Sequence, residues 1–426
     1  MSAQIQSHDP GIPSRPFQTE AAWRGPELAA QPERWTYRLS DAEIAEIEAA
    51  VAAVGSSGTA LDRISPATFP LPTLGPRLER TLDRQILDGL GFWLVRGLPV
   101  GRYSIEDAAI AYLGIGSHFG SFRSQNAKGH LLGHVRDLGL DVRNANVRYY
   151  QTTRQLEYHT DSCDVVGLLC LKAAKSGGES RIVSSVTLFN EMLLRRPDLL
   201  PELFHPFPTD RRGEVPPGMN GWFDVPVFNW YAGHLTTIYV GQYIRSAQEN
   251  FPEARRLTPG EREALEFLDA LTNEPQLNLQ MTMVPGDMQF VHNHQILHSR
   301  TDFEDWPEPE RKRHLLRLWI APSGARPLPP SFAPRYGSVT PGARAASSLR
   351  KRGSSSRCKP SKGDATSRAG RHRFRNSESC AAIARRTCGM CPSMAIPALR
   401  TLFLGQSIRE RHHALGHESP PPPSLP

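Results

Sequence analysis

Apolar and polar residues alternate along this chain with two different periods, and the change of period divides it. Ser40-Asp-Ala-Glu43 is a capping box: serine and glutamate satisfy backbone donors reciprocally and open a helix over Ala42–Val54. Leu78, Leu82, Ile86 and Leu90 recur every fourth residue, which predicts a second helix over Pro76–Leu90, with the proline in its first turn. Gly91–Val100 reads as a buried strand and Ser104–Leu113 as another capped helix. From about Val147 the period falls to two. Strands are predicted at Val147–Thr152, Val165–Ala174, Ser180–Ser185, Leu277–Val284, Met288–Asn293 and His314–Ala321. Helices interrupt them at Val186–Arg196 and from Thr258-Pro259 to about Leu271. Val225–Val240, with a turn at Ala232-Gly233, predicts a hairpin. Strands with inserted helices imply an α+β chain, mainly β, around a jelly-roll or similar barrel.

Outside these elements the pattern fails. Residues 1–35 are rich in Pro, Gly and Gln and read as an extended arm, leaving 36–335 as the folded domain. Residues 343–426 show no sustained period and end in Pro-Pro-Pro-Pro-Ser-Leu-Pro. Such a segment buries too little apolar surface to offset its chain entropy, so disorder is expected. Its abrupt change of composition also resembles translation past a frameshift.

Charge changes the picture once it is divided. Sixteen of the 50 Lys and Arg, but four of the 43 Asp and Glu, fall in 343–426, giving that segment +12 and residues 1–342 a balance of −5. The high pI therefore belongs to the tail. A mildly acidic body argues against nucleic acid as a partner. The absence of a long apolar run argues against a membrane span, and the polar N-terminus against a secretory signal. Cys163 and Cys170 alone do not make a disulfide framework, which fits a reducing, cytoplasmic compartment. Cys388-Gly-Met-Cys391 has zinc-like spacing but, with Cys358 and Cys380 far apart, no well-spaced second pair, and reads as chance.

The chemistry concentrates in Tyr158-His159-Thr160-Asp161. A His-x-Asp pair at period two projects both side chains from one face of a strand. A further histidine would complete two imidazoles and a carboxylate with coordination positions left open, the facial arrangement of non-haem iron(II) oxygenases. Spacing leaves His292, His294 and His298 as candidates for that third place. The run Arg311-Lys312-Arg313-His314-Leu-Leu-Arg317 supplies arginines able to grip a carboxylate through two parallel hydrogen bonds.

These motifs fall in a consistent order: His159-x-Asp161, Gly177-Gly178-Glu179-Ser180, Gly286-Asp287, Asn293-His-x-x-x-His298-x-Arg-Thr-x-Phe-x-Asp305, and Arg313-His-Leu-Leu-Arg-Leu-Trp319. The series, over roughly Leu90 to Pro322, resembles the TauD/TfdA family, which includes taurine and 2,4-dichlorophenoxyacetate dioxygenases and relatives of clavaminate synthase. The resemblance implies a double-stranded β-helix binding Fe(II), with 2-oxoglutarate as cosubstrate and O2 as oxidant. It implies decarboxylation of 2-oxoglutarate to succinate and CO2, coupled to oxidation of a small molecule such as an amino acid or other small acid. By the same resemblance His159, Asp161 and His298 match the iron ligands, and Ser180 and Arg313 match residues that hold 2-oxoglutarate. Arg317 matches a second basic position, so either arginine could take the cosubstrate. A carboxylate at Asp161 argues against a halogenase. Gln125, Asn126 and Gln151, and the aromatic group Trp222, Phe223, Phe228, Trp230 and Tyr231, are further candidates for the pocket wall. The alternative is a barrel of the same fold acting as a non-catalytic binding or regulatory protein. The oligomeric state is open.

Overall fold

Alternation in the second half of the chain produces two β-sheets that share one apolar layer. The computed structural model describes residues 11–126, 129–140 and 149–345. Eight strands form the framework: β1 Leu132–Val135, β2 Leu156–His159, β3 Val165–Lys172, β4 Ser180–Ser184, β5 Leu279–Met281, β6 Met288–His292, β7 Ile296–Arg300 and β8 His314–Ala321. One sheet runs β1–β8–β3–β6 and the other β2–β7–β4–β5, with every pairing antiparallel. The chain changes sheet at each step except between β4 and β5, where residues 185–278 are inserted. Phe92–Arg96 extends the first sheet beyond β6, and Thr36–Arg38 joins it in parallel.

Period two decides which side chains meet. Val166, Val291 and Trp319 of the first sheet pack against Ile182, Leu279, Met281 and Ile296 of the second. The next residues along, Val183 and Leu297, and Tyr158 of β2 face the other way, against Phe189, Met192 and Leu268 of the helices Ser185–Arg195 and Pro259–Asn273. Each large apolar side chain so buried contributes about 1.5–3 kcal/mol. On the first sheet's outer face lies the helix Ile105–Ser117, with the Tyr112 and Phe119 rings 6.2 and 4.6 Å from that of Phe290. Gly167 permits this approach, since a Cβ there would lie 2.3 Å from the Tyr112 hydroxyl.

The local signals hold closely. Ser40, Ser104 and Thr258 all form complete capping boxes, with Glu43, Asp107 and Glu261. The expected hairpin pairs Phe228–Tyr231 with His234–Thr237, and Ala232 and Gly233 both take positive φ, 49° and 81°, as a two-residue primed turn demands. Helices and strands share the chain about equally, so the protein is α+β with its β framework inside rather than mainly β by length.

Four expectations need correction. The described part of the arm, residues 11–35, is packed rather than extended: Trp23 and Trp35 are buried, and their indole N–H groups donate to the Leu90 and Leu28 carbonyls at 2.8 and 2.9 Å. Its Pro and Gly content hid two aromatic anchors. Tyr149–Gln151 form a 3-10 turn where a strand was expected; residues 147 and 148 lie outside the described residues. Ile296–Arg300 is a strand the pattern did not show, because His298, Ser299 and Arg300 break its apolar run. The folded unit passes residue 335, with Tyr336 and Arg344 fully buried. Residues 346–426, including the Cys388–Cys391 pair, lie outside the described residues. No helix among the described residues is long and apolar enough to cross a membrane.

Candidate active site

His159 and His298 are register partners across β2 and β7, an antiparallel pair that sets two side chains on one face. Their ring centroids are 4.3 Å apart. Asp161 follows past the end of β2, and one ligating atom from each of the three residues lies within 4.8 Å of the others. The strand end is clamped. The amide of buried Asn293, in the β6–β7 turn, accepts from the Asp161 N–H at 2.8 Å and donates to the Asp161 and Cys163 carbonyls. Thr160 exchanges hydrogen bonds with the Tyr239 backbone at 2.8 and 2.9 Å.

Of the three histidines that spacing left open, His298 joins the pair. His292 and His294 are fully buried elsewhere: His292 faces the Arg326 guanidinium at 3.3 Å, and His294 meets the Asp164 carboxylate at 2.9 Å. His294 ties the β6–β7 turn to the chain that follows Asp161, and His292 ties it to the segment after β8.

The electrostatics suit a cation. Burial alone would raise the Asp161 pKa, but Arg317, the two imidazoles and the Trp319 N–H bring it down to about 2. Arg317 Nη1 lies 3.2 and 3.3 Å from its two oxygens, and Trp319 Nε1 donates at 3.0 Å. Burial pushes His298 down to about 3 and also lowers His159, so both imidazoles are neutral at pH 7. His159 Nδ1 sits 2.8 Å from the Glu157 carbonyl, which directs Nε2 to the site; His298 Nδ1 is buried without a partner among the described residues. One ionised carboxylate and two neutral imidazoles fit a divalent transition metal on one face, with positions to spare.

The two arginines differ in how they are used. Arg317 is engaged with Asp161 and, through Nε, with Gln125 Oε1 at 2.8 Å. Arg313, just ahead of β8, is only 7% exposed, and its Nη1 is buried with no hydrogen-bond partner among the described residues. Its backbone N–H donates to Asp305 at 2.7 Å, and its guanidinium lies 5.2 Å from the Phe303 ring centroid. Gly178 makes room, because a Cβ there would lie 3.1 Å from Arg313 Nε. Ser180, two residues on, donates across the two sheets to Gln289 at 3.1 Å.

A cavity of about 510 Å³ opens over this constellation, bounded by His159, Asp161, Arg317 and Trp319 on one side and by the inserted segment on the other. Gln125 and Phe223 line it as anticipated. Phe228 belongs instead to the core, and Asn126, Gln151, Trp222, Trp230 and Tyr231 are not among the lining residues. Sequence reasoning missed Arg211, Tyr243 and Arg335 in this wall. The signal was Asp210-Arg-Arg-Gly213, a charged cluster at a strand end next to the aromatic group.

Known proteins resemble this chain in sequence and in fold. Residues 56–319 match the family model described as taurine catabolism dioxygenase TauD, TfdA family. The FR-33289 synthase of Streptomyces rubellomurinus is 28% identical over 331 residues, covering 76% of this chain and 95% of that protein. The taurine hydroxylase-like protein SAT17 of Stachybotrys chartarum is 31% identical over 308 residues, covering 70% and 78%. Among solved structures, asparagine oxygenase in complex with Fe(II), 2S,3S-3-hydroxyasparagine and succinate aligns with a TM-score of 0.54 at 17% identity, covering 67% of this chain and 93% of that one.

Proposed function

The chain belongs to the TauD, TfdA family of dioxygenases, and from that premise we propose that His159, Asp161 and His298 hold its iron, with Arg313 and Ser180 holding the cosubstrate. It is an Fe(II)- and 2-oxoglutarate-dependent dioxygenase. The non-catalytic reading finds no support. The observation that carries the ligand assignment is the meeting of three donor atoms within 4.8 Å, one of the residues keeping an orphaned buried nitrogen. We further infer that the eight alternating strands are a double-stranded β-helix and that the catalytic unit extends through Arg344. A cytoplasmic setting is supported by two free, buried cysteines, Cys163 and Cys170, which suit a reducing compartment.

Bound ferrous iron supplies the chemistry by which 2-oxoglutarate and dioxygen become succinate, CO2 and an oxidised substrate. The chain's own residues do the rest. Asp161 stays ionised, steered by the Arg317 guanidinium and the Trp319 N–H. The two imidazoles are held neutral by burial and present lone pairs. Arg313, whose guanidinium has no carboxylate partner within hydrogen-bond distance among the described residues, offers a fork to the far carboxylate of 2-oxoglutarate, and the Ser180 hydroxyl, turning from Gln289, adds a hydrogen bond. Arg317, committed to Asp161 and Gln125, borders the substrate side. The substrate is a small molecule, an amino acid or other small acid in this reading; the solved neighbour that carries hydroxyasparagine and succinate supports that class.

Succinate release tests this. With iron, ascorbate and 2-oxoglutarate, a library of small acids and amino acids is expected to give substrate-stimulated succinate, lost in His159→Ala. Stimulation that survives His159→Ala would refute the assignment.

A further inference from the structure

The wall of the cavity facing the iron site carries a buried positive charge, Arg211, with no carboxylate partner among the described residues. Arg211 follows the strand Pro206–Asp210 and is 4% exposed. Its guanidinium lies 5.0 Å from the Phe223 ring centroid, its Nη1 donates to the Pro334 carbonyl at 2.9 Å, and its Nη2 reaches the Met219 sulfur at 3.6 Å. Among the described residues, Nε is buried without a partner and no carboxylate pairs with the group. Arg335 stands beside it, from the segment after β8. Its Nε donates to Ser162 Oγ at 2.6 Å, and its Nη1 is 3.4 Å from Glu214. Ser162 adjoins Asp161, which sets this pair at the iron end of the cavity.

Burying an unpaired charge is costly, and a second cation alongside raises the cost. Arg211, Arg335 and Ser162 all line the same cavity. We propose that Arg211 and Arg335 form a subsite for a compact oxyanion on the substrate (carboxylate, sulfonate or phosphonate), which supplies the missing counter-charge and fixes which C–H bond faces the iron. This subsite rests on the dioxygenase reading above.

The test uses the full chain, anaerobically loaded with Fe(II) and saturating 2-oxoglutarate. Acetate, methanesulfonate and methylphosphonate are titrated by calorimetry and thermal melting, against chloride at matched ionic strength. At least one oxyanion is expected to bind more tightly than chloride, and the arm with the largest effect identifies the acid group. Binding should weaken ten-fold or more in Arg211→Met and in Arg335→Gln, while Arg211→Met without anion melts at or above the wild type. Should Arg211→Met fail to fold, Arg211→Lys keeps the charge without the fork and is expected to show the same loss. Wild-type affinity in these variants, or no preference over chloride, overturns the subsite. Failure of the wild type to bind Fe(II) and 2-oxoglutarate would instead sink the underlying activity.

Discussion

Replacing Arg313 by methionine separates the two arginines that the sequence left as rivals for 2-oxoglutarate. Methionine fills much of the same volume and removes the charge. The Arg313 guanidinium has no carboxylate partner within hydrogen-bond distance among the described residues, and burial makes its charge costly. Stability should therefore be unchanged or slightly raised. Cosubstrate binding should suffer. Charge-assisted hydrogen bonds contribute about 1.5–3 kcal/mol each, and a two-bond fork is lost. After partial compensation by water, a loss of about 2–4 kcal/mol is expected, or roughly 30- to 1000-fold in 2-oxoglutarate affinity. The assay is calorimetric titration of 2-oxoglutarate into the Fe(II)-loaded protein under nitrogen, paired with a thermal melt. Arg317→Met serves as the contrast: it disturbs Asp161 and Gln125, so metal affinity should fall more than cosubstrate affinity. A change below three-fold in Arg313→Met, with the large 2-oxoglutarate effect in Arg317→Met, would refute the assignment.

Other perturbations follow from the supports of the site. Trp319→Phe removes the 3.0 Å N–H donor to Asp161 and keeps most of the ring, so iron affinity should fall about ten-fold with little change in melting temperature. Asn293→Ala releases the clamp on the Asp161 backbone; a loss of about 2–4 kcal/mol in denaturant unfolding is expected, because two carbonyls and an N–H are left unsatisfied. Arg344→Ala strips Asp164 of a buried cationic partner and should cost about 3–5 kcal/mol, which urea titration would register. Burial would raise the Asp164 pKa, but its hydrogen bond with His294 and the Arg344 charge lower it. A carboxylate depressed on folding stabilises above its unfolded pKa and loses that contribution as pH falls. Melting temperature should therefore drop through the acid range below the usual carboxylate pKa in the wild type, and less steeply in Asp164→Asn.

The sequence made the site legible where its residues are local or ordered along the chain. His159 and Asp161 share a face by period two, and the motif series ranked His298 above His292 and His294. Those two histidines are indistinguishable by spacing; only the β6–β7 turn shows that they point to Asp164 and Arg326. Helix starts were readable because capping boxes are complete within four residues. Burial of long-range partners was not. Trp23 and Arg344 sit in polar, Pro- and Gly-rich surroundings, and each is buried by contacts with residues far off in sequence, Leu90 and Asp164. The same holds for Arg211 and Arg335, which meet only because the segment after β8 folds back against the insertion between β4 and β5.

The ligand set itself is tested most directly by anaerobic ferrous titration of the wild type and of Asp161→Ala, read by metal stoichiometry after desalting. One iron per chain in the wild type and a small fraction of that in Asp161→Ala are expected, with His298→Ala behaving alike. Full occupancy in either variant would contradict the account.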